Sequence, residues 1–391
     1  MRARVVAGCG ALVTFVASCA VGCGAANAGR PSVETGKTDS SAIPGAGFVG
    51  SGKVSAIDGG TPSGWLYTKG NKIYVSNGSS TRSGAKSGTP WMGRGVNMDD
   101  LYLCGFDNNL QMARQTPNAE DTLRKIVNEL LATWHPTFVR ISLGMNSWPT
   151  PASWTKNEPA YKTPMTNVIR SIGSHAGVYV LVTLRTEASM IGQDPENKEA
   201  TAVPSRTANT PDATTYPNGT DSVYQALVDT FANDAFVLFG VSNEPGGNAI
   251  TQEALVPAMS HAVNVIRAEE DRLGVPHHLV SVQGTRYSAK IDFYSRSPLP
   301  FDNVVYEVHG YPPAPSDYTY ANIPVILGEY GSLTDAKTFY ADVEAKQIPN
   351  LAWDFEPYSD CHPDLLTVNG DATNLVPSTW GTTVRNYLTT H

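Results

Sequence analysis

Val237-Leu-Phe-Gly-Val-Ser-Asn-Glu-Pro245 and Pro324-Val-Ile-Leu-Gly-Glu-Tyr-Gly331 are built alike: a short apolar run that ends on a single glutamate. Apolar runs of this length, stopped by Gly or Pro, read as buried strands of a parallel sheet. Working outward, similar runs occur at 91–97, 137–143, 178–184, 236–242, 279–283, 303–308, 324–328 and 350–355. Between them lie stretches with helical spacing. Residues 119–133 carry Leu123, Ile126, Val127, Leu130 and Leu131 on one face, and 252–273, 334–346 and 378–388 also read as helices. Eight strands, most followed by a helix, predict an α/β fold of the (β/α)8 barrel type. The alternative, a doubly wound open sheet, lacks its Gly-rich phosphate turn after the first strand. Two runs at 64–67 and 72–75 flank Gly70-Asn71 and predict a small N-terminal hairpin, followed by a polar loop over 79–89. Insertions at 185–221 and 312–321 fall where a barrel puts its cleft-forming rim.

The ends of the chain and its charge narrow the class. Arg2 and Arg4 precede an apolar stretch from Val5 to about Val21, the layout of an export signal over residues 1–28. Val16-Ala-Ser-Cys19 and Ala20-Val-Gly-Cys23 both resemble a lipoprotein box, while Ala26-Asn-Ala28 suits ordinary cleavage. The expectation is an exported protein, extracellular or held by a lipid anchor to a bacterial membrane. Residues 29–58 read as a flexible tether, leaving 59–391 as one catalytic domain. A net charge of −8 argues against a nucleic-acid partner, which needs a basic face. Five cysteines leave only Cys104 and Cys361 outside the signal region, either as a disulfide or as two separate buried thiols.

The chemistry gathers at strand ends: Arg94-Gly-Val-Asn97, Val139-Arg140, Asn243-Glu244, His309-Gly-Tyr311, Glu329 and Trp353. In a barrel all of these share one face. A carboxylate pair on such a face is the machinery of glycosidic cleavage, one group protonating the leaving oxygen and the other attacking the anomeric carbon. Singly, each residue has an ordinary reading: a solvated glutamate, an ion-paired arginine, a core histidine, a packed tryptophan. Their common register gives them weight. Arg140 is expected to keep Glu329 ionised, with Tyr311 donating to the same carboxylate. A metal site is not expected, because His277-His278 lacks ligand spacing and there is no His-Glu-x-x-His helix. No Gly-x-Ser-x-Gly elbow is present, which disfavours a serine hydrolase.

Together these motifs, over residues 91 to about 356, resemble glycoside hydrolase family 5, a family of retaining (β/α)8 glycosidases that includes cellulases and mannanases. The resemblance implies Glu244 as acid/base and Glu329 as nucleophile. It also implies a substrate-binding shell of Arg140, Asn243, His309, Tyr311, Trp353 and Asn97, and no cofactor. The family usually carries a histidine at the end of the third strand in an apolar-Asp-apolar-His pattern. Here the run is Val182-Thr183-Leu184-Arg185, with Arg185 or Glu187 near that place. In a closed barrel the first and eighth strands are neighbours, so a rim disulfide Cys104–Cys361 is expected, with Asp360, His362 and Asp364 in the same rim loop as substrate contacts. Tyr216, Trp148, Trp154 and Tyr318 are candidates for stacking on sugar rings. The expectation is a monomeric retaining endo-β-glycosidase acting on a polysaccharide or oligosaccharide. Its rivals are a non-catalytic carbohydrate-binding barrel and a transglycosylase using the same residues.

Overall fold

A computed structural model describes residues 64–77, 88–98, 119–144, 159–185, 220–355, 363–367 and 375–391. The signal, the tether, Cys104, Cys361, Trp148, Trp154, Glu187, Tyr216, Asp360 and His362 lie outside the described residues.

The eight predicted runs are the eight strands of a closed parallel barrel. They are β4 (Arg94–Met98), β5 (Phe138–Gly144), β6 (Tyr179–Arg185), β7 (Val237–Gly240), β8 (Val280–Gln283), β9 (Val304–Gly310), β10 (Val325–Tyr330) and β11 (Asn350–Ala352), and β11 pairs with β4 to close the ring. Each is followed by a helix. The order is α1 (Ala119–Trp134), α2 (Pro159–Gly173), α3 (Asp221–Phe231), α4 (Gln252–Leu273), α5 (Asp292–Arg296), α6 (Pro315–Tyr318), α7 (Ala336–Lys346) and α8 (Thr379–Thr390). Helix ends follow local chemistry. Thr251, Asp335 and Ser378 cap α4, α7 and α8 by accepting from backbone N–H groups one turn on, and Gly274 ends α4 in the left-handed region. Among the described residues, no helix is long and apolar enough to cross a membrane.

Strand alternation sorts the barrel into two cores. Phe138, Tyr179, Leu181, Leu238, Leu279, Val305, Ile326 and Leu351 point inward near the strand starts and fill the barrel floor. The neighbouring strand residues face outward and pack against the helices in a larger cluster. Each fully buried side chain of this kind contributes about 1.5–3 kcal/mol. The expected hairpin is part of a three-stranded antiparallel sheet: β1 (Leu66–Lys69), β2 (Lys72–Ser76) and β3 (Gly88–Pro90). The end of the stretch read as a polar loop therefore pairs as β3, whose sequence carries no apolar alternation to announce it. Gly70, with φ of 61°, supplies the positive-φ turn between β1 and β2. Leu66, Ile73 and Trp91 pack under the barrel floor, and Tyr179 donates to the Gly64 carbonyl at 2.7 Å. The floor is thus sealed, and the polar residues above it occupy the opposite, C-terminal end.

Candidate active site

Arg140 rises from β5 into the centre of the barrel and is fully buried. Its Nη1 donates to Asn97 Oδ1 and to Glu329 Oε1, each at 2.9 Å, and its Nη2 donates to Asn243 Oδ1 at 2.5 Å. Its Nε lies 3.1 Å from Glu307 Oε1 in an ion-pair contact. One guanidinium fork therefore ties three strands to the segment that follows β7, which a single-point lysine cannot do. Asn97, on β4, turns its amide nitrogen to the Gly328 carbonyl at 3.0 Å. Asn97, Arg140 and Asn243 are buried and committed to protein partners. From there they brace the carboxylates from beneath, Arg140 through the expected contact with Glu329.

Glu329 owes its position to a break in β10. Pairing with β9 runs Leu327 to Val308 and then Glu329 to His309, so Gly328 is an extra residue in the strand. The bulge resets the alternation. Ile326 faces the barrel floor, Glu329 faces the site, and Tyr330 turns outward onto Phe339 and Trp380. Only glycine fits at 328, because a Cβ there would sit 2.2 Å from Glu307 Oε1. Glu329 then receives Arg140 on one oxygen and the Tyr311 hydroxyl, at 2.8 Å, on the other. Burial pushes its carboxyl above the ordinary value, His309 and Arg140 pull it back, and nearby Glu244 pushes it up again. Arg140 makes the expected contact, yet burial sets the net direction.

Glu244 follows β7 with φ of 43°, a left-handed conformation that is strained for a non-glycine residue. Its N–H donates to Gln283 Oε1 at 2.5 Å, and its side chain keeps 18% exposure, where Glu329 keeps 5%. His309 joins the two glutamates: its Nδ1 lies 2.8 Å from Glu244 Oε1 and 3.4 Å from Glu329 Oε2. Its Nε2 lies 3.0 Å from Glu307 Oε1. Burial works against a positive imidazole, but the Glu329 charge and the hydrogen bonds with Glu244 and Glu307 outweigh it and raise the His309 pKa to about 9. Tyr311 is 41% exposed and offers a ring face at the cleft while its hydroxyl holds Glu329. Trp353 is buried, and its carbonyl accepts from Trp380 Nε1 at 2.9 Å. Arg185 is the last residue of β6, paired with Gly144. Tyr318 is no stacking platform. It is buried, and its hydroxyl donates to Asp342 Oδ2 at 2.6 Å, tying α6 to α7.

Sequence reasoning places Glu307 at the end of the sixth strand without a role and does not single out Ser281 or Gln283. Glu307 is fully buried beneath the pair and accepts from Ser281 Oγ at 2.5 Å. Burial disfavours its charge, but Arg140, His309 and Ser281 together hold its pKa down to about 2. Glu244, His309 and Glu329 also bring possible metal-ligand atoms within 4.8 Å of one another. That space is already balanced by the Arg140 guanidinium and a positive imidazole, so the donor set fits a proton better than a metal ion.

A sequence profile of the cellulase family, glycosyl hydrolase family 5, matches residues 106–359. The chain belongs to this family. It is accordingly a glycoside hydrolase. No curated protein matches the sequence significantly. Solved structures share the fold at low identity. The catalytic domain of Thermobifida fusca endoglucanase Cel5A is 14% identical with a TM-score of 0.59, the match covering 84% of this chain and 100% of that one. A Saccharophagus degradans β-glucanase with cellotetraose is 18% identical (TM-score 0.58, 84% and 94% covered). A Streptomyces thermolilacinus β-mannanase with mannohexaose is 17% identical (TM-score 0.55, 83% and 94% covered).

Proposed function

We propose that this family 5 hydrolase is an exported, retaining endo-β-glycosidase that cleaves β-linked polysaccharide or oligosaccharide by double displacement. The observation that carries the reading is the unequal setting of two carboxyls whose oxygens approach within 4.8 Å. Oxygens this close are compatible with the carboxyl separation of about 5–5.5 Å used by retaining enzymes. The site holds three carboxylates, Glu244, Glu307 and Glu329, against two cations, Arg140 and His309. Arg140 and Tyr311 donate to Glu329, which suits it to the nucleophile's role, and Glu244, the more exposed of the pair, takes the role of proton donor that double displacement requires.

Glu244 then protonates the leaving oxygen while Glu329 attacks the anomeric carbon, and the anionic Glu244 next draws a proton from the water that frees the sugar. The exposed Tyr311 ring is a stacking face beside the scissile bond. Export, with or without a lipid on Cys19 or Cys23, is supported by the Arg2/Arg4 and apolar leader pattern. The cellotetraose and mannohexaose bound by proteins of the same fold support a β-glycan as substrate. The test is the anomer formed first from a β-linked glycan, read by proton NMR before mutarotation. The β-anomer is expected, and the α-anomer would exclude double displacement.

A further inference from the structure

Glu307 takes no part in the two-carboxylate reaction, yet it is among the most enclosed charges in the barrel. Three groups converge on it: Ser281 Oγ at 2.5 Å, His309 Nε2 at 3.0 Å and Arg140 Nε at 3.1 Å. The bulge glycine at 328 exists to clear space for its carboxyl. We propose that Glu307 is a fixed counter-ion that keeps His309 an imidazolium while negative charge passes from Glu329 to Glu244 during glycosylation. The inference rests on the glycosidase reading above.

The bookkeeping of the step shows what such a cation does. A Glu329 oxygen forms a bond to the anomeric carbon. The glycosidic C–O bond breaks with its electron pair on the leaving oxygen, and that oxygen takes the proton of Glu244. One negative charge thereby moves from Glu329 to Glu244, and the total does not change. Arg140 hydrogen-bonds Glu329, whereas His309 Nδ1 lies beside both glutamates. An Nδ1–H that turns from Glu329 toward Glu244 follows the charge without gaining or losing a proton. That requires the other ring nitrogen to stay protonated throughout, and Glu307 is the acceptor placed to hold it. The remaining neighbours do not supply this. Gln283 presents its amide nitrogen to His309 Nε2 at 3.3 Å, because its oxygen is committed to the Glu244 N–H, and on its own it would favour a neutral Nε2. The charged and titratable groups facing His309 are therefore Glu244 after β7, Glu307 and Tyr311 of the β9 segment, Glu329 of β10, and Arg140 of β5 behind them. Glu307 is thus a positioning residue that acts through His309.

The test combines imidazole NMR with kinetics on the full-length protein. With histidine labelled by 15N, and the His309 signals assigned by their loss in His309→Asn, the wild-type ring should remain an imidazolium through pH 8. In Glu307→Gln, which keeps the shape and can donate to Nε2, the His309 midpoint should fall by at least about one pH unit, and the alkaline limb of kcat/KM should move with it, a tenfold loss at a fixed pH on that limb. Glu307→Asp, retaining the charge, should keep both close to wild type. A folded Glu307→Gln with an unshifted midpoint overturns the proposal, as does a uniform loss of activity without a shifted limb. If Glu307→Gln does not fold, the wild-type titration still decides, since a His309 midpoint near the ordinary 6.5 overturns it as well. The NMR arm needs no substrate. An intact imidazolium with no β-glycan cleaved counts against the glycosidase reading, and normal turnover with a neutral wild-type His309 counts against this proposal alone.

Discussion

Replacing Gly328 with alanine adds one methyl group where the fold has no space for it. The new Cβ would lie 2.2 Å from Glu307 Oε1, 2.4 Å from its Cγ and 2.5 Å from its Cδ. Ordinary carbon contacts begin near 3.5 Å, so the Glu307 carboxyl must retreat by about 1 Å. It is not free to do so, being held by Ser281, His309 and Arg140 in a buried cluster. Losing one charge-assisted bond of that cluster costs about 1.5–3 kcal/mol and overpacking adds about 1–3 kcal/mol, so we expect a total of about 2.5–6 kcal/mol. The variant should melt several degrees lower by differential scanning calorimetry. Because the bulge also aims Glu329, kcat/KM on a β-glucan should fall by about 10²-fold, the scale of a 1 Å misplacement. Shortening the obstacle should restore part of both. In a double-mutant cycle, Gly328→Ala and Glu307→Asp should couple by at least about 1 kcal/mol. A Gly328→Ala protein that matches wild type in melting and in kcat/KM would refute the reasoning.

Glu329→Gln should lower turnover by about 10⁴-fold or more while leaving the melting curve intact, checked by initial rates and circular dichroism. Arg140→Met should destabilise the domain by about 3–5 kcal/mol in urea denaturation, because it leaves Glu307 and Glu329 buried without their cation. Arg140→Lys should recover only part of that loss, since one ammonium cannot serve four partners. Stability should also follow pH in a defined way. His309, raised to about 9, contributes stability that is full below its ordinary 6.5 and is lost as pH rises through 9. Glu307, lowered to about 2, contributes stability present above its ordinary 4.5 and lost as pH falls through 2. Urea midpoints should therefore be highest between pH 4.5 and 6.5, and midpoints still climbing from pH 6.5 to 9 would contradict the assignment.

The sequence announces the barrel because its strands are apolar runs, and burial on both faces needs nothing subtler. The strand starting at Val237 and the helix over Gln252–Leu273 fall close to or at their expected limits. Gly88-Thr89-Pro90 has no apolar pattern, so its pairing with β2 depends on tertiary contact. Helices α2 and α3 escaped the periodicity reading, the first with Pro164 inside it. Glu244, Glu329 and most of their neighbours were legible because strand ends in a barrel converge. Glu307, Ser281 and Gln283 were legible in principle. They alternate with apolar residues in Val280-Ser-Val-Gln283 and Tyr306-Glu-Val-His309, and a polar residue with inward parity in a core strand marks a buried network. The bulge at Gly328 was not legible, since strict alternation would turn Glu329 outward and only the contact with Glu307 across the strands explains the glycine.

The most direct test of the central claim is to trap the covalent intermediate. Incubation with a 2-deoxy-2-fluoro β-glycoside bearing an activated leaving group, followed by proteolysis and peptide mass mapping, should place one fluorosugar ester on Glu329 and none on Glu244. An ester on Glu244, or prompt turnover with an α-configured product and no adduct, would contradict the assignment of Glu329 as nucleophile and Glu244 as acid.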